Sequence, residues 1–199
     1  MSRSTIRDAL RGLAAEGLIT TTQGVKGGSF VTLPSVDRMS DTLHVGLSLL
    51  SRADGASIEE FLELRELLEV PAAGLAARRR TAADLERLAA TLPRGRGQDP
   101  AEPFERNHSF HLVLVELAHN RLLELTAGPL LRILHARMAG APLSRAQSRV
   151  GTRHHRAIVA AIERGDAGES ERLMREHMQW LRSRYHRLWT SAGGGSTGA

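Results

Sequence analysis

Apolar and polar positions follow two different rhythms along this chain, and the change falls at Pro34. The opening "MSRSTIRDALRGLAAEGLI" puts Ile6, Leu10, Leu13 and Ala14 at helical spacing, interleaved with Arg3 and Arg7. This predicts a helix over 4–16, capped by Ser4 or Ser2 and stopped by the glycine of Glu16–Gly17. "LITTT" at 18–22 has the β-branched character of a strand, "QGVKGG" at 23–28 is a glycine-rich turn, and "SFVTL" at 29–33 is the returning strand. Helix, hairpin and proline make a small module over 1–34. Ile6, Leu10 and Leu13 are its expected buried side, and these 199 residues offer no earlier element for them to pack on.

After Pro34 the rhythm becomes that of long amphipathic helices. A linking helix over 36–51 carries Met39, Leu43, Leu47 and Leu50, and "ADGAS" breaks it. "SIEEFLELRELLEVPAAGLAARR" follows, with Ile58, Phe61, Leu64, Leu68 and Leu75 on its apolar side and Ser57 with Glu60 as a capping box. Pro71 removes one backbone donor and predicts a kink there. Further helices are expected over 82–92, 104–118, 121–138, 144–163 and 166–189. They are punctuated by a loop at 93–103 and by "HN", "GAP" and "RGD". The fold class is therefore mainly α: a small helix-and-hairpin module over 1–34, a linker over 35–56, a bundle of six or seven helices over 57–189, and a flexible Gly/Ser tail over 190–199.

Composition narrows this picture. Aromatics are only 4% of the 199 residues, so Leu, Ala, Val and Ile fill the core. Cysteine is absent, which rules out disulfides and thiolate metal sites and fits a reducing cytoplasm. No signal peptide is visible, and no apolar run approaches the ~20 residues of a spanning helix, so a soluble cytoplasmic protein without a membrane partner is expected. The net charge of +5 is modest, but its placement is informative. In residues 1–35, Arg3, Arg7, Arg11 and Lys26 face only Asp8 and Glu16, so the N-terminal module is the basic part.

"SRSTIRDALRGLAAEGLITTTQGVKGGSFV" resembles the recognition helix and wing of a GntR-type winged helix-turn-helix. That family reads roughly Ser-Arg-x-x-Val-Arg-Glu-Ala-Leu, then Leu-x-x-x-Gly-Leu, then a glycine-rich wing. Such a helix presents its polar N-terminal residues to the major groove, where arginine pairs with a guanine edge and hydroxyls and amides meet phosphates. Ser2, Arg3, Ser4, Thr5 and Arg7 supply those groups. The resemblance implies that Gln23 and Gly24 at the wing tip approach the minor groove. The family also carries two helices before this point, and usually a valine just ahead of the Ser-Arg pair. Met1 stands at that valine's place, so the expectation is a start codon lying further upstream.

Histidines carry the other candidate chemistry. "NHSFHLVLVELAHN" puts Asn107 and His111 on one helix face. His155 opens an apolar stripe with Ile158, Val159 and Ile162, and His177 lies between Met174 and Trp180/Leu181. Histidines drawn into apolar faces of three helices either sit satisfied in the core or converge on a metal. Residues 57–189 resemble the FCD effector domain of the FadR branch of GntR regulators, through "ELRELLEVPAAGLAARR", "NHSFHLVLVELAHNRLL" and "HRAIVAAIERGDAGESERLMREH". In many such domains an Asp and a His four residues later join two further histidines around a divalent ion. The resemblance puts His111, His155 and His177 at the three histidine places and Asn107 at the Asp place, where a neutral amide replaces a charge. Zn²⁺ is the expected ion, with Ni²⁺ or Mn²⁺ as alternatives. His108, His119, His135 and His154 read as structural or solvent-facing. Arg65 is a candidate anion partner, or else a surface salt bridge to Glu69 one turn away; Arg132 is a weaker candidate.

The function implied is a transcription regulator, a repressor by the commoner pattern, working as a homodimer on a double-stranded DNA operator and controlled by a small organic acid. A metal-dependent hydrolase or lyase is the alternative from chemistry, although no H-E-x-x-H pattern supplies a general base. A metabolite-binding dimer without DNA binding is the third reading.

Overall fold

A computed structural model describes residues 2–24, 26–33, 35–53, 55–93, 102–138 and 144–193. Most of the expected loop at 93–103, the "GAP" break at 140–142 and residues 194–199 of the tail lie outside them. The chain folds as two compact units, one up to Met39 and one from Ser40 onward.

In the first unit, α1 (Arg3–Ala15) is followed by β1 (Ile19–Thr22) and β2 (Gly28–Val31). Ser2 is the N-cap: its hydroxyl accepts from the Thr5 amide at 3.2 Å. At the other end Gly17 takes φ 75°, a left-handed conformation that a side chain would strain. The Gly17 amide donates to Ala14 and the Leu18 amide to Leu13, closing the helix with the paired bonds of a Schellman stop. The strands run antiparallel with Ile19 opposite Val31 and Thr22 opposite Gly28.

Two expectations change here. Ile6, Leu10 and Leu13 were expected to form a buried side, but α1 has no buried residue, and Ile6 is 47% exposed. One helix and a two-stranded hairpin do not provide a layer on each side of α1. The boundary also falls inside the linking helix, α2 (Val36–Arg52), rather than at Pro34. The Arg38 guanidinium bonds the Ala15 carbonyl at the end of α1, so the first turn of α2 belongs with the N-terminal unit.

The second unit is all helix. After α2 come α3 (Ile58–Arg79), α4 (Ala82–Ala90), α5 (Glu102–Glu116), α6 (Arg121–Met138), α7 (Arg145–Arg164) and α8 (Ala167–Gly193). Ser57 and Glu60 form the expected capping box, and Thr81 with Asp84 and Ser144 with Gln147 form two more. Gly165 at φ 75° ends α7, and the Asn120 side chain accepts from the Leu122 and Leu123 amides to start α6.

α3 is the central element, packed against α5, α6, α7 and α8. Its second half buries Val70, Ala72, Ala73, Ala76 and Ala77, whose small side chains let the neighbours approach. α3 runs unbroken through Pro71. The carbonyl that loses its bond is that of Leu67, and both Leu67 and Pro71 lie on the exposed face. α8 likewise continues to Gly193, past the expected start of the tail, because extending an existing helix requires no new nucleus. Stripes at Gly151, His155, Ile158 and Ile162 on α7 and at Met174, His177, Met178 and Leu181 on α8 close the core.

Leu114, fully buried on α5, tests this packing. Leu114→Ala is expected to lower stability by about 2–5 kcal/mol in a urea titration. Leu122→Ala, at a position 72% exposed, is expected to change it by less than about 0.5 kcal/mol.

Candidate functional site

The bundle brings three expected residues to one point. His111 from α5, His155 from α7 and His177 from α8 are all buried, and their ligand atoms lie within 4.8 Å of one another. His177 Nε2 is 3.2 Å from His155 Nε2 and 3.2 Å from His111 Nε2. Zn–N bonds of about 2.1 Å meeting at about 90° to 109° separate neighbouring nitrogens by about 3.0 to 3.4 Å. The donor set therefore fits a divalent transition metal ion.

Each ring is held from behind. The His111 Nδ1–H donates to the Glu69 carboxylate, which fixes the tautomer and leaves Nε2 bare toward the cluster. Phe110 stacks on His155 with ring centroids 3.8 Å apart. His177 lies between Trp180, stacked at 5.6 Å, and His154, whose Nδ1 is 3.4 Å from its own Nδ1. His154 is thus a neighbour of the cluster rather than a solvent-facing residue. Burial pushes His155 and His177 well below the ordinary 6.5, and also lowers His111 against the opposing pull of Glu69. All three are neutral at pH 7, the state in which imidazole ligates.

Arg65 proves to be fully buried. Its Nε–H donates to Glu69, and Nη1 donates to the Tyr185 hydroxyl at 3.1 Å. The salt bridge read from the sequence therefore exists, but in the core rather than on the surface. Burial opposes both charges, and their mutual attraction outweighs it: Arg65 stays protonated and Glu69 ionised. Arg65, Asn107, His108, His111, His135 and Tyr185, with Leu131 and Leu134, line a narrow pocket with room for about one water. His108 and His135 stack within it at 4.1 Å, and burial pushes His108 down to about 4. Asn107 is thus placed beside His111 at the pocket, as its spacing predicts. Arg132 is engaged elsewhere, donating to the Ser40 hydroxyl at 3.2 Å and to Asp41.

Glu69, Tyr185, His108 and His135 are the site residues that sequence reasoning missed. Glu69 did carry a signal, its four-residue spacing from Arg65. Tyr185 carried none, since it lies 120 residues from the arginine it meets.

In the N-terminal unit, Arg3, Ser4, Thr5 and Arg7 are exposed on the first turns of α1. Ser2 is exposed too, but its hydroxyl is occupied by the cap and by contacts to the Ser4 and Thr5 hydroxyls. Gln23 and Gly24 lie exposed at the hairpin end, with Gly24 at φ 113°.

Residues 60–179 match the FCD domain family. The chain is 36% identical over 126 residues to the HTH-type transcriptional regulator LutR of Bacillus subtilis, a match covering 62% of this chain and 55% of LutR. It is 27% identical over 193 residues to the putative L-lactate dehydrogenase operon regulatory protein of Escherichia coli, covering 94% of this chain and 74% of that protein. The chain thus spans little more than half of LutR. Among solved structures, Streptococcus agalactiae GntR superposes with a TM-score of 0.52 at 20% identity, over 92% of this chain and 82% of that one, a likeness of fold. Among the described residues no helix is long and apolar enough to cross a membrane.

The buried histidines make metal-free stability depend on pH. Their folded-state values lie below 6.5, so on acidification the unfolded chain takes up protons first. Stability is complete above about pH 6.5 and falls below it, by up to about 1.4 kcal/mol per pH unit for each histidine. Thermal melts of chelator-treated protein between pH 7.5 and 5.5 are expected to show that fall. A melting temperature that stays level across the range contradicts the placement of the three rings in the core.

Proposed function

The chain belongs to the FCD-domain family of GntR-type regulators, and we propose that it is a DNA-binding transcription regulator whose operator affinity is set by a small carboxylate bound in the helical unit. The observation that carries this reading is the convergence of three histidine Nε2 atoms beside a pocket that also holds a buried arginine. His111, His155 and His177 would hold the metal, Zn²⁺ first among the candidates, and the ion would supply an electrostatic anchor for the carboxylate. Glu69 orients His111, and Arg65 and Asn107 present donors on the pocket wall. The name of the Escherichia coli relative supports a short hydroxy acid such as L-lactate as the first effector to try.

α6 supports a route from the pocket to the DNA-binding unit. It contributes Leu131, Leu134 and His135 to the pocket wall. It also grips α2 by Arg132 on Ser40, Arg137 on the Ser51 carbonyl, and the Pro129 carbonyl near His44 Nδ1 at 3.5 Å. An acid that favours one position of α6 therefore biases α2, which runs on into the N-terminal unit. Arg3, Ser4, Thr5 and Arg7 are the proposed major-groove contacts, the α1 N-terminus with Ser2 as its cap meets phosphate, and Gln23 and Gly24 are the proposed wing contacts. A homodimer on a two-fold operator and repression are part of the same reading, with the cytoplasm as its setting. The named relatives are regulators, which sets the hydrolase alternative aside.

Two measurements test the two halves. His177→Ala, which removes the histidine nearest both others, is expected to weaken Zn²⁺ binding at least tenfold in a chelator competition; unchanged affinity contradicts the three-histidine site. Arg3→Ala is expected to weaken operator binding by about 1–3 kcal/mol if it reads a base. If it meets phosphate instead, the salt slope falls by about one unit. Fluorescence anisotropy on DNA upstream of the protein's own gene reads both. No change in either quantity removes Arg3 from the interface.

A further inference from the structure

His177 turns a single ring nitrogen to both of the other histidines. Its Nε2 lies 3.2 Å from the Nε2 of His111 and 3.2 Å from that of His155. A neutral imidazole whose Nε2 is a bare ligand atom carries its proton on Nδ1. For His111 that proton has an acceptor, the Glu69 carboxylate. His177 is fully buried, and a buried N–H left without an acceptor is costly. The group facing its Nδ1 is the ring of His154, with the two Nδ1 atoms 3.4 Å apart. Two such nitrogens are compatible when one donates and the other accepts. With the His177 proton fixed by the cluster, His154 is left to accept, and its own proton belongs on Nε2.

The surroundings hold His154 in that place. It precedes His155 on α7, is half-buried, and stands edge-on to Trp180 at 5.5 Å and to His177 at 5.6 Å. Trp180, one turn after His177 on α8, also stacks on His177. Gly151, one turn before His154 and His155, leaves room for the indole: a Cβ there would lie 3.2 Å from its Cη2. α7 and α8 thus each supply one histidine of the cluster and one ring that braces it.

We propose that His154 is the positioning residue of His177: its Nδ1 accepts the His177 Nδ1–H and so aims Nε2 at the metal. The inference rests on the metal-site reading above and goes beyond it by adding a residue outside the ligand set. The two braces differ in chemistry. Glu69 brings a carboxylate whose charge Arg65 balances, whereas an imidazole that accepts is neutral. His154 therefore directs its neighbour without adding charge to the site. A ligating imidazole is the stronger N–H donor, so the 3.4 Å separation, just above the usual range of about 2.7–3.2 Å, is expected to close in the zinc-loaded protein.

The experiment measures Zn²⁺ affinity by chelator competition in the wild type, His154→Phe and His154→Asn, after melts confirm that each variant folds. Phe keeps a ring against Trp180 but has no acceptor, whereas the Asn Oδ1 takes nearly the place of the histidine Nδ1. His154→Phe is expected to weaken zinc binding about tenfold to a hundredfold, and His154→Asn to stay within about threefold of the wild type. Proton–nitrogen correlation spectra of the zinc-loaded wild type, which need no variant, are expected to show His177 protonated on Nδ1 and His154 on Nε2. Wild-type affinity in His154→Phe, equal losses in the two variants, or a His154 protonated on Nδ1 would each overturn the proposal while the metal site stands. If the wild type binds zinc no more tightly than His177→Ala, the metal reading fails and the inference falls with it.

Discussion

A buried ion pair on one helix organises the whole helical unit. Arg65 and Glu69 stand one turn apart on α3, both almost fully removed from solvent, and each reaches a different neighbour. Arg65 donates to Tyr185 of α8, and Glu69 accepts from His111 of α5. Three helices are therefore tied at a single polar node inside an otherwise aliphatic core. Removing one partner of such a pair leaves an uncompensated charge and costs about 3–5 kcal/mol, a large share of a domain's stability. The node also has directional consequences. Because Glu69 occupies Nδ1 of His111, only Nε2 remains to face His177, and the geometry of the cluster follows.

The two units differ in how they are held. The bundle carries large side chains fully out of water, from Leu88 on α4 to Leu181 on α8. The N-terminal unit relies on caps, hairpin bonds and Arg38, with Ile6, Leu13 and Phe30 all substantially exposed. α2 bridges these regimes, since its first turn belongs to one unit and its remainder to the other. Along that remainder it is gripped by α6, which also forms a wall of the pocket. One helix thus touches both the pocket and the linking helix.

What the sequence alone determined was local. Helical spacing places Asn107 and His111 on one face and puts His155 and His177 within apolar stripes, and these readings need only the 3.6-residue repeat. The glycine stop at Gly17 and the cap at Ser57 are legible for the same reason, because each is settled by bonds within a few residues. Resemblance of the "NHSFH" and "RLMREH" segments then carried the pairing of histidines far apart in the chain. Tertiary structure decided the remainder. Whether Arg65 met Glu69 in water or in the core depended on which face of α3 the other helices covered, and no periodicity in α3 itself discloses that. Tyr185 as its partner, His108 stacked on His135, and His154 beside His177 all depend on the rotation and depth of separate helices. Those are set by how many side chains pack at once, a property of the assembled bundle rather than of any segment.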